Sequence, residues 1–375
     1  MTWQQRARDA RAVLVDQYWV GWTGLFRSDA SWRSWVSALV PWGTWHYWWQ
    51  AHALEALLDA HEAGDPGAGD RAVRLIRGVL HRTRGDLTAN SYYDDMAWMG
   101  LATLRAHSLG IIGRRAPLAL ADAVSAGWDP GLGGVRWRVG DEFRNVPATA
   151  PAAMLLARAS RLDGDARRLG LARAAADWLH ATVVEPSGIV WDGCRPRGGV
   201  LVPEGRLWSY NVGTVAGLDV VLAGMSDAAE SERLVHRAAT VVRAGTAALR
   251  GGCAEVGEAV ALVATGSAGP VPPGIWRDEL GDGVGVDPHL FRGILARYAT
   301  DLVLVDPTLR DITEDLVVQA EAAWAARDGR GRIGAAWAVS GGQAAGWPAA
   351  ATLAAHLSGT LTLAGVARLE RAGLI

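Results

Sequence analysis

Asn90-Ser91-Tyr92-Tyr93-Asp94-Asp95-Met96-Ala97-Trp98-Met99-Gly100-Leu101-Ala102 is the stretch from which the fold of this chain is read. Two adjacent acids stand in it, aromatic residues flank them, and an apolar run follows at helical spacing. The reading is a helix over 91–108 that begins at the acids. Similar periodic segments lie at 3–19, 45–63, 69–83, 114–126, 147–162, 165–182, 209–224, 229–249, 253–264, 289–304, 309–326 and 343–357. Gly- and Pro-rich loops such as Gly64-Asp65-Pro66-Gly67 and Asp129-Pro130-Gly131 separate them. Strand alternation is scarce, and no linker or composition break divides the chain, so residues 1–375 read as a single domain. The expected class is all-α, built of helical hairpins. Strict repeats are absent, which disfavours a regular solenoid. A closed ring, the (α/α)6 barrel, suits the count. Periodicity alone leaves an open superhelix or an irregular bundle as alternatives.

Composition narrows the chemistry. Half the residues are hydrophobic and 20% are charged, with a net charge of -2, so there is no footprint for nucleic acid. The 37 basic residues are all Arg, which excludes Schiff-base, pyridoxal-phosphate and Walker-lysine chemistry. Cys194 and Cys253 are in no metal spacing and exclude a disulfide scaffold. His46, His52 and His61 form no HExxH, and no GxSxG is present, so neither a metal nor any other cofactor is expected. Gly281-Asp282-Gly283-Val284-Gly285 lacks the spacing and lysine of a phosphate loop; Asp278, Glu279 and Asp282 around it are within reach of an active face. Asp287-Pro288-His289 reads as a helix entry, and Arg368-Leu369-Glu370-Arg371 as a solvated helix face. No stretch is long and apolar enough to span a bilayer. The N-terminal Met1-Thr2-Trp3-Gln4-Gln5-Arg6 leads into no apolar run, so the expected location is cytoplasmic. The oligomeric state is not readable.

Tryptophan is over-represented, with 19 Trp against three Phe. Trp42, Trp45 and Trp49 recur at helical spacing with Trp48 and His52 beside them, which reads first as a core stripe and second as a platform for sugar rings. Trp128, Trp137, Trp191, Trp208 and Trp276 stand in Gly-rich loops, where sugar contact and local packing are both open.

Adjacent acids at a helix start ordinarily cap free amides and meet the helix dipole. Here apolar neighbours on both sides shield the carboxyls, and two like charges in one shielded site raise one pKa. That places an acid beside a base, the division of labour that glycoside cleavage uses.

The segment resembles the catalytic motif of glycoside hydrolase family 76, the endo-α-1,6-mannanases and their transglycosylase relatives. Further stretches resemble that family in the same order: Trp48-Trp49-Gln50-Ala51, Gly133-Gly134-Val135-Arg136-Trp137, Asn145 to Arg161, Trp191-Asp192-Gly193, Trp208-Ser209-Tyr210-Asn211-Val212-Gly213, and Phe291 to Asp301. Met99, Thr149 and Val212 depart from the family pattern. The resemblance implies an (α/α)6 barrel and a retaining double displacement, with Asp94 as nucleophile and Asp95 as general acid/base. It implies a sugar site formed with Asn90, Tyr93, Trp98, Trp137, Asn145, Trp191, Asp192, Trp208, Tyr210 and Asn211. The partner expected is an oligosaccharide or glycoconjugate. Asp94 is expected to stay ionised, with Asn90 or Tyr210 as donor, and Asp95 to hold the proton. Transglycosylation on the same site, a sugar epimerase or unsaturated-uronide hydrolase, and a non-catalytic glycan-binding barrel are the alternatives.

Overall fold

The structure, a computed structural model, describes residues 1–39, 45–251, 253, 255–264, 274–278, 285–337 and 352–375. Trp42, Glu279 and Asp282 lie outside them. The helices described are α1 (Trp3–Tyr18), α2 (Trp32–Leu39), α3 (Tyr47–Glu62), α4 (Ala68–Arg82), α5 (Tyr93–Ser108), α6 (Arg115–Ser125) and α7 (Val146–Asp163). They continue with α8 (Ala166–Thr182), α9 (Ser209–Ala223), α10 (Ala228–Gly251), α11 (Val256–Ala264), α12 (Pro288–Val305), α13 (Arg310–Ala325) and α14 (Leu353–Arg371).

Six helices touch in a closed circle: α3 with α5, α5 with α7, α7 with α9, α9 with α12, α12 with α14, and α14 with α3 again. Each is backed from outside, α3 by α4, α5 by α6, α7 by α8, α9 by α10, α12 by α13, and α14 by both α13 and α1. This is the (α/α)6 barrel. Inner and outer helices alternate along the chain, so the six inner helices all start at the same end. Their N-terminal loops therefore gather on one face.

The two layers differ in burial for a physical reason. An outer helix has one neighbour side, and α4 buries a stripe at Ala68, Ala72, Leu75, Ile76 and Val79. An inner helix has neighbours on all sides, and α14 is buried along nearly its whole length. Inner helices also approach closely. A methyl on Gly293 of α12 would sit 2.5 Å from the Ser358 Cα of α14. Gly293→Ala is therefore expected to destabilise the fold by about 1–3 kcal/mol, because backbone rather than a side chain must give way. Urea unfolding of the variant checks this; an unchanged midpoint contradicts it.

The C-terminal helix departs from the sequence reading. The segment expected at 343–357 lies in part outside the described residues, and α14 begins where Thr352 accepts the Ala355 amide at 3.1 Å. Arg368–Arg371 is not a plain solvated face. Leu369 is buried, Arg368 pairs with Asp301 at 2.7 Å, and the Glu370 carboxylate accepts the amides of Trp3 (3.1 Å) and Gln4 (2.9 Å). Glu370 thus caps α1 and ties the two ends of the chain together. Thr360-Leu361-Thr362-Leu363 alternates like a strand, yet both threonine hydroxyls donate back to carbonyls four residues earlier within the helix.

Strands are few. β1 (Trp19–Val20) pairs with β2 (Leu25–Phe26), and β3 (Arg144–Asn145), β4 (Gly193–Arg197) and β5 (Val200–Glu204) form an antiparallel sheet in the order β3-β4-β5. The β4–β5 hairpin turns on Gly198 and Gly199, both at positive φ. Cys194 and Cys253 are free thiols. Among the described residues no helix is long and apolar enough to cross a membrane.

Candidate active site

The backbone at Tyr92 is extended and α5 starts at Tyr93, so Asp94 and Asp95 fall in the first turn of an inner helix. Free amides and the helix dipole favour negative charge there. Asp94 Oδ1 accepts the Asp95 amide at 2.9 Å, and Asp94 Oδ2 accepts Trp137 Nε1 at 3.1 Å. Asp95 Oδ2 accepts Asn90 Nδ2 at 2.9 Å, while Asn90 Oδ1 takes the Tyr92 amide at 2.9 Å. Asn90 is thereby held with its amino group toward Asp95.

Burial pushes the Asp94 carboxyl well above the usual carboxylate range, and the charge of Asp95 adds to the effect, against the donors Asp95 N–H and Trp137. Burial raises Asp95 to about 7, opposed by the Asn90 hydrogen bond and assisted by the charge of Asp287. Because the charge of Asp95 acts on Asp94, these shifts place the pair's proton on Asp94, against the sequence expectation that Asp94 stays ionised and Asp95 holds the proton; the N–H donors on both Asp94 oxygens oppose that shift. The donors differ from the sequence expectation. Trp137 and the helix amide serve Asp94, and Asn90 serves Asp95, because the first helical turn aims the two side chains in different directions.

Trp137 is positioned by a stiff loop. Asp129 accepts the amides of Gly131 (2.9 Å) and Leu132 (3.0 Å), Arg136 at 2.6 Å, and Arg144. Gly133 and Gly134 have φ near +73° and +72°, and a methyl on either would strike the Trp178 ring. The Trp137 carbonyl accepts the Tyr93 amide at 2.9 Å, and its ring meets Tyr92 edge-on at 5.1 Å. The loop is thus tied directly to the start of α5.

Other inner-helix entries complete the face. Asp192, just before β4, accepts Asn211 Nδ2 at 2.8 Å, and burial raises it to about 6 against that hydrogen bond. Tyr210 stacks flat on Phe291 with centroids 3.8 Å apart, and Trp208 meets the same ring at 5.5 Å. Burial raises the Tyr210 phenol, and the charges of Asp192, Asp94, Asp287 and Asp278 raise it further. Charges from three separate segments and α5 therefore act on one tyrosine. Asp278 accepts both the amide and the hydroxyl of Ser209 at 2.8 and 2.6 Å and so fixes the start of α9.

The remaining expected site residues are placed less openly. Asn145 is buried and caps α7 through the Ala148 amide at 3.3 Å. Tyr93 packs under Gly127, and Trp98, 4% exposed, lies one turn below the acids against His52. Trp191 commits its indole N–H to Glu185 at 2.6 Å. Trp276 is core, donating to Asp315 at 2.9 Å, so its loop position reflects packing. The departures Met99, Thr149 and Val212 are all buried: Thr149 accepts the Val135 amide at 2.9 Å, and Val212 packs on Gly245.

Three participants escaped the sequence reading. Asp287 does begin α12 ahead of Pro288, but it is also a third carboxylate near the pair, raised by burial and lowered by His46, Trp49 and Trp48. Phe291 carries the aromatic stack. A cavity of about 430 Å³ opens beside Asp95 with Trp45, His46, Trp48, Asn90 and Tyr92 in its wall; Asp94 is not part of that wall. No local sequence signal marks these contacts, since each crosses between helices far apart in the chain. Among the described residues no group of three His, Cys, Asp or Glu is placed to hold a metal ion.

The model of glycosyl hydrolase family 76 matches residues 2–364. Solved structures agree in fold. The α-1,6-mannanase GH76A of Salegentibacter sp. HEL1_6 is 24% identical over 98% of this chain and 100% of that one, with a TM-score of 0.77. An inactive variant of that enzyme, altered at two consecutive aspartates and bound to α-1,6-mannotetrose, gives 0.78 at the same identity and coverage. The family 76 mannosidase Bt3792 of Bacteroides thetaiotaomicron is 17% identical, covers 99% of each chain and gives 0.75. The curated proteins contain no match. With a barrel whose inner-helix entries gather two adjacent acids under indole and amide donors, and a family model spanning almost the entire chain, this protein belongs to glycosyl hydrolase family 76.

Proposed function

We propose that the chain is a retaining α-glycosidase, one domain over residues 1–375, that cleaves α-1,6-linked mannosides or mannose-containing oligosaccharides by double displacement. The observation that carries the reading is the division of the acid pair. Both Asp94 oxygens are met by N–H donors, which oppose the rise that burial gives this carboxyl and hold its anion once formed, and the charges of Asp94 and Asp192 both act on Tyr210. Asp95 has one oxygen without such a donor and borders the cavity of Trp45 and His46. A sugar ring bound on the Asp94 side and a leaving group in the Asp95 cavity put the two carboxyls in the required roles. Asp95 passes its proton to the glycosidic oxygen while Asp94 forms a bond to the anomeric carbon. Water, losing a proton to Asp95, then attacks that carbon and releases Asp94. Retention requires carboxyl oxygens about 5 Å apart, which adjacent side chains reach. The inactive double-aspartate variant of the Salegentibacter mannanase and its α-1,6-mannotetrose support both the pair and the substrate class.

The test is turnover of α-1,6-manno-oligosaccharides with Asp94→Asn as control, with the anomer of the first-formed product followed by NMR. An α product supports the reading; a β product or no turnover of any α-mannoside overturns it. Products longer than the substrate mark transfer to a sugar acceptor in place of water.

The pH profile follows from the same electrostatics. Activity is expected to follow a bell, rising as the pair loses its first proton and falling as it loses the second, with both limbs belonging to the coupled pair rather than to either acid. Trp137→Phe removes a donor that holds the Asp94 charge, so its acidic limb is expected to move to higher pH while the basic limb stays. Plots of kcat/KM against pH for the two proteins decide it; an unmoved acidic limb contradicts the assignment.

A further inference from the structure

The cavity beside Asp95 has a wall that the acid pair does not account for. Its volume of about 430 Å³ falls in the range of sites for small organic ligands. Asp95 and its donor Asn90 contribute to the wall from the start of α5, and Trp45, His46 and Trp48 contribute from the entry of α3. His46 is the residue just ahead of that helix, with extended backbone at φ -116° and ψ 111°, and its side chain makes no capping bond. Its ring lies nearly flat on Trp49, with centroids 3.8 Å and planes 23° apart. Trp49 is 1% exposed, whereas His46 is half-buried. One face of the imidazole is therefore closed by the core, and the part left open borders the same cavity as Asp95.

Packing alone does not call for a histidine here. A phenylalanine would stack on Trp49 as well, without nitrogens to hydrate. Among the described residues neither ring nitrogen of His46 has a hydrogen-bond partner. Burial lowers the imidazole below its ordinary value, and the charge of Asp287 opposes that shift without cancelling it, so the ring is neutral at neutral pH. A neutral imidazole offers one N–H and one lone pair, the complement of a sugar hydroxyl. Trp45, Trp48 and Tyr92 in the same wall supply flat rings for the C–H faces of a pyranose.

Resting on the glycosidase reading above, we propose that His46 hydrogen-bonds a hydroxyl of the sugar in the leaving position and so helps set which alcohol departs with the proton of Asp95. The same contact serves a sugar acceptor, which enters where the leaving sugar was. His46 is then a specificity determinant on the leaving-group side, and Asp94 is untouched by it.

The test compares kcat/KM on α-1,6-mannotriose and on an aryl α-mannoside with an activated leaving group, whose ring carries no hydroxyl. His46→Phe keeps the stack on Trp49 and removes both nitrogens. It is expected to lower kcat/KM on mannotriose about 10- to 100-fold and on the aryl mannoside about 10-fold less than that. His46→Gln, which keeps a donor and an acceptor, is expected to recover part of the loss on mannotriose. His46→Leu is measured alongside and is expected to behave as the Phe variant does. The readout is a ratio of two substrates within one preparation, so a poorly folded fraction does not alter it. Equal losses on the two substrates overturn the proposal and assign the ring to holding the fold or Asp95. Full activity on mannotriose in the Phe and Leu variants also overturns it. If the protein with His46 intact turns over no α-mannoside, the glycosidase reading itself fails and this inference falls with it.

Discussion

Asp94→Asn is expected to abolish turnover of every glycoside, by roughly 10⁴-fold or more in kcat, because no bond to the anomeric carbon can form. Asp95→Asn is expected to behave differently. Aryl glycosides with activated leaving groups need no proton, so their first step should survive, while unactivated oligosaccharides lose it. The two variants therefore separate on substrate reactivity, which a merely structural role for either acid would not produce. Trapping with a fluorinated glycoside and mapping by mass spectrometry gives the direct check, and a label on any residue other than Asp94 reverses the roles. The structure adds a stability signature. Asp94 is raised by burial and by Asp95, so the folded state binds more protons than the unfolded chain and loses stability as pH rises from about 4. Either Asn variant is expected to be more stable than the parent at neutral pH, as befits a site held against its own electrostatic preference.

Asp59→Ala is expected to have the largest effect on stability, about 3–5 kcal/mol, without touching the acid pair. Asp59 is 7% exposed and accepts Arg105 and Arg297, each at 2.7 Å. Glu55 shares the same two guanidinium groups at 2.5 and 3.3 Å. This network joins α3, α5 and α12 toward the end of the barrel opposite the acids. Removing one carboxylate leaves two buried cations short of a partner. The pH dependence has a definite sign. Burial alone raises Asp59, but Arg297, Arg105 and Arg368 outweigh it and bring it to about 2. A depressed carboxyl stabilises the fold above its unfolded pKa near 4, and the contribution, of order 2 kcal/mol, is lost as pH falls toward 2. Urea midpoints across that window should slope for the parent and flatten for Asp59→Ala. Parallel slopes would contradict the assignment.

Much of the barrel was legible because helices announce themselves locally. The periods and caps around α5, α7 to α9, α12 and α13 place those elements within a few residues of where they lie. Signals failed where burial removed the pattern. α14 is buried on all sides, carries Gly365 at a close contact with Thr300 of α12 and alternates Thr with Leu, so no amphipathic stripe marks its true span. The β4–β5 hairpin carries a local cue in Gly198-Gly199, both at positive φ, between segments that are otherwise helical.

The site divides the same way. Sequence by itself determined that two acids open a helix, that donors and aromatics flank them, and that the adjacent Asp94 and Asp95 match the family's pair although Met99 beside them departs from its pattern. Spacing along one chain carries that information because the first turn of a helix is a local structure. Only the tertiary structure decided which donor serves which acid, that Asp287 and Phe291 belong to the site while Trp276 does not, and that α14 closes the ring. Those outcomes depend on side chains from segments far apart in sequence meeting at one end of six parallel helices, where burial and neighbouring charge, not local pattern, set both packing and protonation.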